Sequence, residues 1–158
     1  MKTILSSLNR EFATLDGRSR ELLHLIAEDL IFARPREIPN SMSMFSCGEY
    51  ILRSAAMVEK TFGGITTRLW DDPFEWTLPE NLSGRHDINR YLDEVEQTRA
   101  LGFDFFTADA DLARELPAPR EMRPLIDVLI ETIARAEHFQ GRAFAVFQML
   151  SDEKLPRL

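Results

Sequence analysis

The chain has 158 residues, 44% of them hydrophobic and 28% charged, with a formal net charge of −7. That length suits one domain, residues 1–158, with a core that needs no staples. The acidic balance argues against a general nucleic-acid binder, and no run nears the ~18 apolar residues of a membrane span. The lone Cys47 has no partner for an intramolecular disulfide, and Met1-Lys2-Thr3-Ile4-Leu5 lacks the apolar stretch of a signal peptide, so a cytoplasmic location is expected.

Residues 1–16 read as a weakly patterned lead-in with one helical turn around Ile4 and Leu8. A first helix is expected over about 17–33, with Leu22, Leu23, Ile26, Leu30 and Ala33 on its dry face and His24 on its wet one. Pro35 and Pro39 stop it and bracket a short connector. The second helix, about 46–65, opens on the capping box Ser46-Cys47-Gly48-Glu49. Ile51, Ser54, Ala55, Val58, Thr61, Phe62 and Ile65 form its inner face; Glu49, Arg53 and Lys60 lie outside, with Glu49 and Arg53 spaced to pair. Gly63-Gly64 is expected to end or bend it.

The stretch from Leu69 to Glu80 holds both tryptophans, Trp70 and Trp76, and reads as a long aromatic loop between helices two and three. Its acids Asp71, Asp72 and Glu75 lack the glycine and alternating ligands of a calcium loop. Ser83 or Asp87 can cap a third helix, about 86–106, with Ile88, Tyr91, Leu92, Val95, Thr98 and Gly102 inside and His86 at its entry. A connector with Pro117 and Pro119 leads to the longest helix, about 121–150. Its apolar stripe runs through Leu125, Leu129, Thr132, Ile133, Ala136, Phe139, Ala143, Val146, Phe147 and Leu150, while Asp127, Glu131, Arg135, His138 and Arg142 cluster opposite. Four amphipathic helices and no convincing strand predict an all-α four-helix bundle.

The familiar catalytic spellings are missing from the chain: no phosphate loop, HExxH, nucleophile elbow or cysteine-pair metal site. Cys47 sits in the first turn of a helix, where the dipole can lower a thiol pKa, although buried and inert is the commoner state of a lone cysteine.

The order of elements resembles the DinB-like (DinB/YfiT) superfamily. The resemblance rests on Phe45-Ser46-Cys47-Gly48-Glu49, on Val58-Glu59, on His138-Phe139-Gln140-Gly141, and on the closing Leu150 … Leu155-Pro156-Arg157-Leu158, and it covers the chain from about residue 15 onward. It implies a four-helix bundle, often a homodimer. It also implies a divalent metal, zinc or nickel, held by three histidines that activates a thiol for S-transfer or isomerisation. With Gly141 as the motif glycine, the two fourth-helix ligand positions fall on Arg135 and Phe139, and the second-helix position on Arg53 or, facing inward, Ser54. None of these side chains can stand in for a neutral imidazole, and His138 lies one residue, about 100°, off the ligand line.

The expected protein is therefore a metal-free relative that binds a small molecule or scaffolds a dimer. Ser54, Thr61, Tyr91, Arg135 and Phe139 are the pocket candidates, with Phe139 filling the vacated space. The alternative is a metal-dependent thiol transferase with another ligand set, for which Glu59, His138 and Cys47 are the fallback groups. An apolar flank of Ile126, Ile130, Ile133 and Phe144 is a candidate dimer surface.

Overall fold

The computed structural model describes residues 1–37, 39–73 and 82–157. Among these, four long helices form a bundle: α1 (Thr3–Leu25), α2 (Cys47–Thr67), α3 (Arg85–Asp104) and α4 (Leu125–Leu150). Between them lie the short 3₁₀ turns Glu28–Leu30 and Asp109–Ala113 and a two-stranded hairpin, β1 (Glu115–Pro117) and β2 (Met122–Pro124). The all-α bundle expected from periodicity is the fold observed.

The first helix differs from its expected span of 17–33. It begins at Thr3, because Leu5, Leu8, Phe12, Leu15, Ser19 and Leu22 repeat at alternating steps of three and four and form a single inward stripe, with Gly17 on the exposed side of the same helix. It ends at Leu25 because Ile26 is extended (φ −71°, ψ 137°), and Glu28–Leu30 is only a 3₁₀ turn. Its C-terminus is closed from α3. The Arg85 guanidinium donates to the carbonyls of Leu23 at 2.9 Å and Ile26 at 2.5 Å, while the Arg85 amide donates to Glu28. A cation at a helix C-terminus satisfies orphan carbonyls and matches the dipole.

The connection from α1 to α2 is consequently long, residues 26–46, rather than short. Its far end is pinned where the Gly48 amide donates to the Ile31 carbonyl at 2.8 Å; a Cβ at Gly48 would lie 2.7 Å from the Ile31 side chain. The α2 capping box is present as expected, with Ser46 accepting from the Glu49 amide and Glu49 from the Ser46 amide. Glu49 pairs with Arg34, not Arg53, whose guanidinium lies 4.1 Å from the centre of the Phe45 ring. Nor does α2 stop at Gly63-Gly64. It runs on to Thr67 and turns at Arg68 in the left-handed conformation (φ 60°). The glycine at 64 serves packing instead: the Trp70 ring occupies the space a side chain would need.

The helices are not arranged in sequence order. α2 packs on α3 and α4, α1 packs on the same two, and α1 and α2 barely touch. Contacts of Asn9 with Arg99 and of Arg20 with Asp93 make α1 and α3 antiparallel. Contacts of Ser54 with Ala136 and of Thr61 with Thr132 do the same for α2 and α4. The core between them is built from Phe12, Leu22, Tyr50, Ile51, Phe62, Ile88, Leu92, Leu129 and Phe147. The third helix starts at Arg85 with Gly84 at the N-cap position and no side-chain cap, so neither Ser83 nor Asp87 caps it. The fourth starts at Leu125 rather than 121, because Met122–Pro124 are held in the hairpin and the Leu125 amide donates to the Arg114 carbonyl.

Arg85→Ala is expected to lower unfolding free energy by about 2 kcal/mol, since it exposes two helix-terminal carbonyls that accept from a cation. The exposed pair of Arg90 with Asp87 should matter little, so Arg90→Ala should cost less than about 0.5 kcal/mol. Equal losses for the two variants in urea titrations would remove the capping role.

Candidate functional site

The inward line of α4 runs through Leu125, Leu129, Thr132, Ala136, Gln140, Ala143 and Phe147, all buried. Ser54 of α2 donates to the Ala136 carbonyl at 2.9 Å across the seam. The fully buried pair is thus Ala136 and Gln140, one position beyond the pair Arg135 and Phe139. Phe139 does not fill an interior space. It lies half-buried at the edge of the seam, its ring 6.5 Å from that of Tyr50, and Arg135 is exposed. The Gln140 side chain is directed to α1, donating to the Leu15 carbonyl at 2.7 Å and to Ser19 Oγ at 2.8 Å. With a serine, a backbone carbonyl and a primary amide there, this part of the seam does not fit a divalent metal that wants imidazole or thiolate donors. Among the described residues no three His, Cys, Asp or Glu side chains come together to hold one.

Further along the same seam an open cleft of about 500 Å³ lies between α2, α4 and the hairpin. Met57, Lys60 and Thr61 line it from α2, Trp70 from the segment after α2, residues 118–121 and Arg123 from the hairpin, and Val128, Glu131, Thr132 and Arg135 from α4. Thr61 and Thr132 lie 2.7 Å apart, oxygen to oxygen, and Thr132 Oγ1 donates to the Val128 carbonyl at 2.7 Å. A hydroxyl has one proton, so Thr61 is the donor to Thr132, and the oxygen Thr61 brings to the cleft is an acceptor only. Glu131 bridges two cations, accepting a hydrogen bond from Arg123 through one oxygen and forming an ion pair with Arg135 through the other. The Arg123 hydrogen bond, aided by Arg135, holds the Glu131 carboxyl below its usual range against a smaller desolvation effect. Lys60 and Arg120 have no ion-pair or hydrogen-bond partner among the described residues, and the buried Trp70 Nε1–H has no acceptor among them.

The five pocket candidates are not brought together. Thr61 and Arg135 line the cleft. Ser54 is buried with its hydroxyl engaged on Ala136, and Phe139 stands against Tyr50. Tyr91 faces α2 from α3, its hydroxyl 2.5 Å from Glu59 Oε2; burial pushes both groups up, Tyr91 further because Glu59 faces it. The fallback groups are separate too. Glu59 is with Tyr91, His138 is exposed on α4, and Cys47 is buried at the start of α2. Glu75 and Trp76 lie outside the described residues.

Sequence reasoning missed Lys60, Trp70, Arg120 and Arg123 as parts of one site. Lys60 read as a solvated stripe, and the two arginines belong to a hairpin whose short strands leave no periodicity to find.

No family model matches the chain, and neither a curated protein nor a solved structure matches it. The case for function rests on the cleft.

Burial raises the Cys47 thiol to about 12. At pH 8 almost none of it is thiolate, the form that reacts. The native protein should therefore resist iodoacetamide for hours and label within minutes once unfolded in guanidinium. Rapid labelling of the folded chain, followed by mass spectrometry, would show that this thiol is accessible after all.

Proposed function

We propose that this protein is a DinB-like four-helix bundle that binds a small molecule, without a resident metal, in the cleft between α2, α4 and the hairpin. One observation carries the reading: a preformed cleft of about 500 Å³, within the ~300–1,000 Å³ typical of ligand sites, with polar groups converging on an apolar wall. Met57, Trp70 and Val128 supply that wall; the Thr61–Thr132 pair supplies a fixed polar floor. The order of elements and the capped second helix support the family reading, and the inward residues of the seam, Ser54, Ala136 and Gln140, with no imidazole or thiolate among them, support the metal-free reading.

The competing roles have less behind them. A thiol transferase would need its metal donors gathered, whereas Cys47, Glu59 and His138 are dispersed over α2 and α4. For a dimer scaffold, Phe144 is in the core and only Ile130, at 54% exposure, stands well out of the flank formed with Ile126 and Ile133.

The test is thermal shift with a panel of metabolite-sized compounds, with zinc and nickel run alongside. Ala118 lines the cleft from the hairpin turn, and its backbone bonds to Leu116 and Glu121 do not involve its methyl. Ala118→Trp should therefore plug the site without disturbing the fold. Expected are panel members that raise Tm by several degrees in the native protein and not in Ala118→Trp, and metal shifts below about 1 °C. Hits that survive the plug would place binding elsewhere. Protein purified without a tag that carries more than about half an equivalent of zinc or nickel would overturn the metal-free reading.

A further inference from the structure

The cleft is chemically one-sided, and its imbalance identifies what it would take. Lys60, Arg120, Arg123 and Arg135 line it against Glu121 and Glu131, an excess of two positive charges in a chain whose formal net charge is −7. The imbalance in usable hydrogen bonds is larger. Each oxygen of Glu131 already faces a cation, Arg123 on one and Arg135 on the other. A guanidinium carries five N–H groups, so each arginine keeps donors after its bond to Glu131. Glu131 thus acts as a strut that fixes the positions of two cations, and its own charge is offset by them. Lys60 and Arg120 are without partners among the described residues, and the Thr61–Thr132 pair at the floor spends both of its hydroxyl protons internally.

The apolar wall is equally specified. Trp70 is held by the close approach of its ring to Gly64, so it presents a fixed flat surface rather than a mobile side chain. Fixed aromatic faces favour flat partners, and arginine planes stack on rings as well as binding oxyanions.

We infer that the cleft binds a small oxyanion with a flat apolar body, its carboxylate or phosphate held among Lys60, Arg120, Arg123 and Arg135 and its body against Trp70. This rests on the cleft being the ligand site, and it adds the ligand's charge and shape. Carboxylates and phosphate esters share the required chemistry, since both pair with guanidinium forks.

Four probes on one ring system separate the possibilities: naphthoate, naphthyl phosphate, naphthamide and naphthylmethylammonium, titrated against tryptophan fluorescence and thermal shift. One or both anions should bind at least about tenfold more tightly than the neutral amide, with the cation weakest, and the margin should shrink as salt rises. Whichever anion is tighter names the oxyanion type. Lys60→Gln with Arg120→Gln, a double variant that breaks no ion pair found among the described residues, should remove most of that margin while leaving naphthamide unchanged. Amide or ammonium binding as tightly as the anions, in a manner that Ala118→Trp abolishes, would overturn the charge inference and leave the cleft reading standing. If none of the four binds, or Ala118→Trp leaves every probe's affinity intact, the inference falls, and the panel of metabolite-sized compounds decides the cleft reading separately.

Discussion

The seam between α2 and α4 is the contact on which the rest of the molecule depends. It is the most extensive helix pairing in the bundle, and it is stitched by buried polar bonds: Ser54 to the Ala136 carbonyl, then Thr61 to Thr132 to the Val128 carbonyl. A buried hydroxyl left unpaired costs about 1–3 kcal/mol, so these bonds disfavour any sliding of one helix along the other. Register fixed in this way sets Met57, Lys60 and Thr61 opposite Val128, Glu131 and Arg135. The cleft's side chains on the two helices are thus placed by hydrogen bonds that lie beneath them.

The remaining walls come from outside the two helices. The hairpin brings Arg120 and Arg123 over the start of α4, and it is tied there by its own ladder and by the bond from the Leu125 amide to the Arg114 carbonyl. Trp70 arrives from the turn at Arg68, where the left-handed backbone ends α2 and sends the chain back along it. Glu131 then joins hairpin to helix through Arg123 and to the next turn of α4 through Arg135. A site assembled from a helix pair, a turn and a hairpin takes its shape from tertiary structure and from no single segment.

That explains what could be read beforehand. Helical periodicity exposed the four helices and the class of fold, and the Ser46 capping box marked the start of α2 to the residue. Boundaries failed where a second signal competed with periodicity. Gly17 and polar neighbours disguised the first half of α1 although Leu5, Phe12 and Leu15 were already in step; Gly63-Gly64 read as a stop because nothing in the local sequence reveals that Trp70 needs the space. On α4 the wheel placed Phe139 inside, yet the buried line passes through Gln140, whose amide NH₂ donates to Leu15 and Ser19 of α1. An apolar residue at the edge and an amide at the centre is a choice made by the partner helix. The cleft was half legible: Thr61 and Arg135 were singled out, while Lys60, Trp70, Arg120 and Arg123 come together only through long-range packing.

The diagonal placement of consecutive helices has a consequence for how the chain reaches this structure. In an up-and-down bundle each new helix docks on the one before it, so the earliest contacts are also the shortest loops. Here α1 and α2 are diagonal, and α3 and α4 share little contact, so the largest pairing joins segments separated by the whole of α3. Closing such loops costs entropy before any burial rewards it, which slows folding relative to a helical domain built from neighbours. During synthesis α2 emerges with one face suited to a helix that has not yet been made. The α2–α4 seam that shapes the cleft therefore cannot close during synthesis until α4 has emerged.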